Sequence, residues 1–562
     1  MRELTYHTDL CVVGGGLAGL CCAIAAARHG IRVVLVQDRP VLGGNSSSEI
    51  RMWVGGAHGK DNREGGIIEE MMLENFYQNP AHKYPLWDSV LYQKAMAEEN
   101  LTLLLNTSCL DAKMDGDSIR CIRAWQSNAE TFHTVYATYF ADCSGDSILA
   151  PLTGARFVYG REAKSDFGER IPPDVADKKT MGMSCLFQIR ETDHYVPFTP
   201  PAWAYKYETE ADLPYKDHDR NNNFWWIELG GEWDCIHDTD RCRDELIKIC
   251  YGVWDHMKNH GDHGVDNWEL EWIGFLPGKR ESRRYVGKTT VTQNDVEAGG
   301  VFDDVVAYAG WSMDDHFPEG FYHRESYPTI FHPAPSPWGL PLSCMISENI
   351  RNLAFAGRNI SVTHAALSSC RVMATCAILG QALGTAVAQA VHTGCTLDTL
   401  DIPRLQATLM DDDCYLPRLA RTVSALSLSA SCTHDVVRDG IDRGEEHLWQ
   451  GNVGEALEYR FDGDTSISQI RLVFDSDLNR DYHNMPCNYP LKETRFHLPT
   501  TLIRAYRIEG ENEAGEVFSY EVTDNRQRLV RHALDWRVSR LRLIPLATHG
   551  APDARIFSFE VT

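Results

Sequence analysis

The 17 cysteines of this 562-residue chain form no C-x-x-C pair and no repeated spacing. The nearest patterns, Cys235–Cys242–Cys250 and Cys370–Cys376, match neither zinc nor iron–sulfur ligation, so no metal site is expected. Reduced thiols in a cytoplasmic protein are the expectation. Basic clusters are scarce as well. Residues 280–284 are the one basic run, and the net charge is −25. A phosphate-tracking groove needs clustered Lys and Arg, so nucleic acid is excluded as a partner. No signal peptide is read ahead of the first strand, which MRELTYHTDL enters directly. The most apolar helical stretch, residues 372–391, contains Gln381, Gln389 and two glycines, and reads as a buried helix instead of a membrane span. Hydrophobic content of 43% and charged content of 24% describe an ordinary globular protein. The length allows about two to four domains. Nothing in the composition speaks to oligomeric state.

What is present concentrates at residues 9–44. Residues 10–13 are a short apolar, β-branched run suited to a buried parallel strand. Gly14, Gly16 and Gly19 follow at G-x-G-x-x-G spacing, and Ala18, Cys22, Ala25 and Ala26 continue at helical spacing. Residues 32–36 make a second strand. Gly14 permits the tight turn, Gly16 lets backbone approach a pyrophosphate, and Gly19 lets the helix pack close to the strand. The helix start adds unpaired N–H groups and a partial positive charge. This context predicts a dinucleotide site. Gln37 stands where a ribose-binding acid is expected, with Asp38 next, and an amide can also bond ribose hydroxyls. Arg39-Pro40-Val41-Leu42-Gly43-Gly44-Asn45 then resembles the segment that passes under the FAD ribose and pyrophosphate in FAD-containing oxidoreductases. NAD-only Rossmann domains lack that segment. Ser46 to Ser48 suit a loop facing a polar cofactor edge.

Downstream, residues 101–105 read as a strand ended by Asn106-Thr107-Ser108-Cys109. Residues 111–126 read as a hairpin turning at Asp115-Gly116. A strand at 139–142 closes on Cys143-Ser144-Gly145-Asp146, again a place where backbone can approach a cofactor. Residues 1–150 thus look like a nucleotide-binding sheet with an inserted β-meander. Ile67, Met71, Met72 and Phe76 mark an amphipathic helix. His58 reads as a hydrogen-bonded loop histidine, with flavin attachment and base catalysis as its other roles.

Residues 151–345 break the α/β rhythm. Nine of the 14 tryptophans lie between 203 and 338, which marks an inserted α+β substrate (cap) domain. Most large aromatics are core, so about two of the nine are assigned to a ligand. The run 279–284 reads as an ion-pair network, with an anion site as the alternative. Residues 310–316 read as a loop that sets Asp314 and Asp315 beside His316, a candidate base–orienter pair, although chain neighbours rarely face each other. Residues 346–423 return to the nucleotide domain. A strand spans 350–357 and a loop 358–364. Ser368 or Ser369 caps a helix to about Val391, whose N-terminus can face a flavin ring carbonyl. A linker helix follows from Pro403 to about Ala420. Residues 424–562 hold six short strands, at 456–461, 467–474, 501–509, 516–522, 538–544 and 556–561, and read as an all-β sandwich.

G-G-G-L-A-G at 14–19, R-P-V-L-G-G-N at 39–45, D-C-S-G-D at 142–146 and A-G-R-N-I-S at 356–361 together resemble FAD-dependent oxidoreductases of the glutathione-reductase-like superfamily. More narrowly, K-R-E-S-R-R at 279–284, G-W-S-M-D-D-H at 310–316, T-H-A-A at 363–366 and R-V-M-A-T-C at 371–376 resemble a bacterial family of FAD-dependent oxidoreductases. This resemblance covers about residues 9–400. A distant relation to fumarate-reductase and succinate-dehydrogenase flavoproteins shows in Gly43-Gly44-Asn45. Covalent members carry histidine at the Asn45 position, so the resemblance implies non-covalent FAD. The C-terminal part resembles discoidin-like, galactose-binding β-sandwiches, on residues 457–461, 467–474 and 554–560.

The expected fold is therefore α/β, a Rossmann-like FAD-binding domain with an inserted cap and a C-terminal all-β sandwich. The cofactor is expected on Gly14, Gly16, Gly19, Gln37, Asp38 and Arg39, then on Gly44, Asn45, Ser46 and Cys109. Ser144, Gly145 and Asp146, with Gly357, Arg358 and Asn359, complete that set. The expected reaction is oxidation of a secondary hydroxyl of a sugar, glycoside or cyclic polyol by hydride transfer to flavin. His364 and His316 are the candidate bases, and Arg284 and Arg371 the candidates to stabilise developing charge. Reduction of an activated C=C bond is the second reading. A non-catalytic flavin-bearing glycan-binding protein is the third. The expected partner is a small molecule.

Overall fold

The computed structural model describes residues 1–480, 487 and 497–562. The strand expected at 10–13 is the inner end of a longer one, Arg2–Val13. Its outer half is polar and largely exposed, so no apolar run marks it, yet it pairs with the outer half of Thr131–Asp142 from Arg2 opposite Thr131 onward. The parallel sheet runs in the order Leu101–Leu104, Val33–Val36, Arg2–Val13, Thr131–Asp142. Leu353–Phe355 joins the inner end of Thr131–Asp142 in parallel, and the meander Thr107–Asp115 and Ser118–Gln126 joins its outer half antiparallel. Strand ends and the helix Leu17–Arg28 thereby meet at one edge, the arrangement in which nucleotide cofactors bind.

Leu17–Arg28 packs on Met373–Thr393 at backbone contact. A Cβ on Gly380 would lie 1.9 Å from the Ala18 carbonyl oxygen, and one on Gly384 would lie 2.2 Å from that of Cys22. Among the described residues, Met373–Thr393 is long and apolar enough to cross a membrane, and 94% of its apolar window is buried within the protein.

The expected single helix from Ser368 or Ser369 is two helices, His364–Cys370 and Met373–Thr393. Thr363 caps the first, accepting from the Ala366 N–H. Ser368 Oγ donates to the Ala365 carbonyl and Ser369 Oγ to the Trp311 carbonyl, so neither serine is a cap. The expected loop at 310–316 contains a strand, Met313–His316, paired antiparallel with Thr329–His332. Its Asp-Asp-His composition disguised it; these charges are neutralised by partners from elsewhere in the chain.

The cap has its own core, in which Met183, Phe187, Trp226 and Trp268 share a cluster with Trp254 of the helix Thr239–Asn259. Tyr285, Val296, Tyr308 and Trp338 instead belong to the core of the nucleotide domain, so residues 151–345 feed two cores.

The linker helix is Ile402–Asp411 and stops short of Ala420. Arg471 and Arg531 donate to the Met410 and Asp411 carbonyls that end it. In the C-terminal part the expected strands 456–461 and 467–474 are one, Leu457–Phe474, and 538–544 is the middle of Leu529–Thr548. The polar residues between the two short runs look like a turn by composition, but the chain continues through register shifts at Arg460/Thr465 and Ile467/Gln469. The strands form one antiparallel sheet with the outline of a half-barrel around Tyr459, Ile470, Tyr506 and Phe559. Buried ion pairs dock it: Arg480 with Glu69 at 2.5 Å and Arg528 with Asp413 at 3.0 Å.

Candidate active site

The first glycine loop shows three different uses of glycine. Gly14 has φ +103°, and a Cβ there would lie 2.5 Å from the Cys143 carbonyl oxygen and the Ser144 nitrogen. A Cβ on Gly19 would lie 1.8 Å from the Gly14 carbonyl oxygen. Gly16 has nothing nearer than the Gly44 Cα at 3.9 Å, because its open side faces a cavity. Gly16 also starts the helix Leu17–Arg28 without a side-chain cap, which leaves first-turn N–H groups free for a ligand. The cavity has a volume of about 620 Å3. It runs from this loop past Gln37, Asp38, Arg39, Gly44, Asn45 and Cys109, and along Ser144, Gly145 and Asp146 to Gly357 and Arg358.

Across from the loop, Asp146 accepts from Lys279 Nζ and Arg358 Nη2, both at 2.7 Å. Burial raises the Asp146 carboxyl, but Arg358 and Lys279 outweigh it and hold the group well below the usual carboxylate range. Arg358 Nη1 is buried with no hydrogen-bond partner among the described residues. Beneath, the fully buried Asp142 accepts from the Ser144 and Leu149 N–H groups and, at 2.6 Å, from the Tyr285 hydroxyl. Burial pushes the Asp142 carboxyl up. At the far end, Val372 and Met373 put the N-terminus of Met373–Thr393 on the cavity wall; it has no side-chain cap, and the Gly55 carbonyl accepts from its Ala374 N–H.

A model of the family described as FAD dependent oxidoreductase matches residues 9–409. The chain belongs to this family.

Glycerol-3-phosphate dehydrogenase of Mycobacterium leprae (strain TN) is 37% identical over 70 residues, which are 12% of this chain and 12% of that protein. The chain thus matches about an eighth of the length of this curated relative. Glycerol-3-phosphate dehydrogenase from Bacillus halodurans, solved with FAD, is 14% identical with a TM-score of 0.21, over 35% of this chain and 43% of that one. A geranylgeranyl bacteriochlorophyll reductase-like protein from Thermoplasma acidophilum is 11% identical with a TM-score of 0.33, over 73% and 85%.

FAD is the cofactor of this FAD dependent oxidoreductase. The residues fit it. The open face of Gly16 and the free N–H groups of Leu17–Arg28 suit a pyrophosphate. Asp38, with a 61% exposed side chain at the cavity edge and an ion pair to Arg39 at 3.8 Å, presents a carboxylate that suits ribose hydroxyls. The unsatisfied Arg358 Nη1 and the start of Met373–Thr393 offer donors further along.

Several expected cofactor contacts do not reach the cavity. Ser46 is fully buried, donating to the Gly43 carbonyl and accepting from Trp87 Nε1. Asn359 is fully buried and donates to the Asp142 carbonyl. Gly19 acts through helix packing, as its backbone contact with Gly14 requires. Gln37 lines the cavity, but its amide braces the loop: Oε1 accepts from the Gly15 N–H at 2.7 Å and Nε2 donates to the Val41 carbonyl at 3.0 Å. Asn45 donates to the Lys279 carbonyl and joins the two halves of the site.

The proton-bearing groups sit at the cap end of the cavity. His316 and Arg371 line it together with Arg280, Asp314, Trp225, Trp311, Tyr327 and Phe331. Trp225 and Trp311 are therefore the two of the nine cap tryptophans that reach it. His316 Nδ1 stands 2.7 Å from Glu228 Oε2, and Nε2 stands 3.2 Å from Asp314 Oδ2. Asp314 also accepts from Thr329 Oγ1 at 2.5 Å and from Arg371 Nη2 at 3.3 Å. Arg371 Nε is buried with no hydrogen-bond partner among the described residues. Burial raises the Glu228 carboxyl, but Arg280, His316 and Arg371 more than offset it and hold it at about 2. Asp314 is lowered in the same way, by His316 and Arg371 against burial.

His364 and Arg284 are not on the cavity wall. His364 is not in a loop; it opens the helix His364–Cys370, 1% exposed, with Nδ1 2.9 Å from Glu281 Oε2 and Nε2 3.2 Å from Asp315 Oδ1. Burial lowers its pKa, but Glu281 and Asp315 outweigh burial and raise it to about 10. At neutral pH it is an imidazolium with both nitrogens engaged, and has no lone pair to take a proton. Arg284 is fully buried, pairing with Glu162 at 2.8 Å and Glu281 at 3.2 Å. The 279–284 run is thus largely an ion-pair network. Glu228, the partner of His316, was not singled out from sequence. The available signal was a lone acid inside the apolar run Trp225-Trp226-Ile227-Glu228-Leu229, where a buried charge requires a partner.

Proposed function

We propose that the enzyme oxidises a secondary hydroxyl of a sugar, glycoside or cyclic polyol, with His316 as the general base. The observation that carries this reading is the 2.7 Å contact of His316 Nδ1 with the buried, ionised Glu228. With the N–H on Nδ1 that Glu228 accepts, Nε2 takes the hydroxyl proton, and Asp314 Oδ2, 3.2 Å from Nε2, accepts from the N–H that forms. Glu228 then faces the imidazolium that forms and stabilises it. Arg371 Nε, a buried donor without an acceptor among the described residues, is available for the developing alkoxide. Trp225, Trp311 and Tyr327 give flat apolar faces on which a ring can stack and from which water is displaced. Bound FAD, held non-covalently, supplies the hydride acceptor.

A second reading, reduction of an activated C=C bond, draws support from Arg280 and Arg371 on the same wall, which could grip a substrate carboxylate. Anaerobic mixing separates the two. Under the first, sugars, glycosides or polyols bleach the oxidised flavin; under the second, enoates reoxidise the reduced flavin. No bleaching across a broad polyol panel overturns the first.

We also propose that the C-terminal sheet is a discoidin-like, glycan-binding module, on its resemblance at residues 457–461, 467–474 and 554–560. Glycan-array binding that survives His316→Asn tests this. The 17 cysteines are all free thiols, which supports a reducing, cytoplasmic setting.

A further inference from the structure

The cap brings together four residues that no spacing in the sequence connects: Glu210, His218, His256 and His263. Glu210 opens the short turn Glu210–Asp212. His218 lies eight residues on, His256 is in the last turn of Thr239–Asn259, and His263 follows that helix. One ligand atom from each falls within 4.8 Å of all the others. We infer that these four side chains form a structural zinc site in the cap, contrary to the absence of metal ligands expected from the cysteine pattern.

The three carboxylate-to-imidazole distances suit a tetrahedral ion. Glu210 Oε2 is 3.2 Å from His218 Nε2, and Glu210 Oε1 is 3.4 Å from His256 Nε2 and 3.5 Å from His263 Nε2. Ligands held 2.0–2.1 Å from zinc at tetrahedral angles are separated by about 3.3 Å. The tautomers are also set. His218 Nδ1 donates to the Lys216 carbonyl at 2.5 Å, and His256 Nδ1 donates to the Tyr207 carbonyl at 2.8 Å. Each ring so anchored carries its proton on Nδ1 and turns the Nε2 lone pair inward, the outer-shell pattern of metal-bound histidine.

Without a cation this arrangement is unfavourable. His256 Nε2 and His263 Nε2 are buried and make no hydrogen bond among the described residues, and His256 is fully buried. Lone pairs of neutral rings would face carboxylate lone pairs. Protonating the rings instead would put three cations around one carboxylate, with ring centroids only 4.9–5.1 Å apart. A divalent ion at the centre resolves both problems. Imidazole with one carboxylate suits zinc, and four protein ligands close its shell, which marks a structural site.

None of the four residues lines the flavin cavity. The ion would pin the segment carrying Glu210 and His218 to the helix Thr239–Asn259. Trp226 Nε1 donates to the carbonyl of Asp217, next to His218, at 2.7 Å, and its neighbour Trp225 lines the cavity. The metal thus holds the backbone behind that cavity wall.

The test uses the full-length flavoprotein, purified without a polyhistidine tag. Elemental analysis is expected to find about one zinc per chain. Chelation should lower the melting temperature while flavin stays bound, and Zn2+ alone should restore it. Glu210 has a 70% exposed side chain, so Glu210→Ala leaves the core intact. It should weaken zinc binding by at least about 100-fold, the upper end of what losing an outer-shell partner costs. His256→Gln should abolish zinc binding. Three results overturn the inference: no zinc in the wild type together with no melting shift on adding Zn2+; zinc content unchanged in Glu210→Ala; or stoichiometric iron, copper or nickel in place of zinc. If His256→Gln fails to fold, the wild-type chelation and re-addition experiment still decides.

Discussion

His316 and Glu228 are 88 residues apart in the chain, yet Nδ1 of the one stands 2.7 Å from Oε2 of the other. Glu228 comes from the two-residue strand Glu228–Leu229, and His316 from the end of Met313–His316. The contact is buried, so the carboxylate acts on the imidazole with little screening by water.

Glu228→Gln keeps the shape of that contact and removes its charge. Anaerobic flavin reduction by substrate should slow by about 10²–10⁴-fold, the range for an impaired general base, with FAD content unchanged. Stopped-flow absorbance reads both quantities, and an unaltered rate would exclude His316–Glu228 as the base pair.

Gly16→Val should prevent FAD uptake, because the new side chain fills the open face where backbone approaches the pyrophosphate. Flavin absorbance per chain after reconstitution measures this, with circular dichroism to show that the fold persists. A yellow Gly16→Val protein would contradict the cradle.

His364 predicts a pH effect on stability. Its pKa is about 10 in the folded protein, against about 6.5 when exposed in the unfolded chain. A raised pKa means that its contribution is complete below about pH 6.5 and is lost as pH rises through 10. His364→Gln should lower the melting temperature at pH 7 and flatten the alkaline limb of the stability profile. Flavin reduction should suffer less than in His316→Asn, because His364 is not on the cavity wall. Equal loss of rate in both variants would restore His364 to the catalytic group.

Arg528→Met would leave Asp413 buried without its partner; the two side chains are 2% and 5% exposed. Breaking such a pair costs about 3–5 kcal/mol. Limited proteolysis should then cut within the C-terminal sheet at temperatures the wild type resists. Unchanged proteolysis would mean that this pair does not secure the sheet.

Much of the nucleotide domain was legible because its signals are local. The apolar run at 10–13, the three glycines and the small-residue helix follow one another within twenty residues, and each has a physical cause in its own neighbourhood. The boundary errors share one reason. The outer half of Arg2–Val13, the strand Met313–His316 and the middle of Leu457–Phe474 are polar, and distant strands or ion pairs hold them in place. Ser368 and Ser369 looked like caps by composition, yet their hydroxyls are taken by nearby carbonyls.

The amino-acid sequence alone determined the cofactor loop, since a turn at φ +103° and a backbone contact inside van der Waals distance admit only glycine wherever the rest of the chain goes. It could not rank His316, which follows two acids in the chain, against His364, which has none beside it. Tertiary structure decided that, by enclosing His364 between Glu281 and Asp315 and by placing His316 on the cavity wall with Glu228 behind it. The same holds for Glu210, His218, His256 and His263, whose meeting depends on how the cap folds. The protonation and reach of an imidazole depend on charges and surfaces a few ångströms away, and those neighbours come from remote parts of the chain.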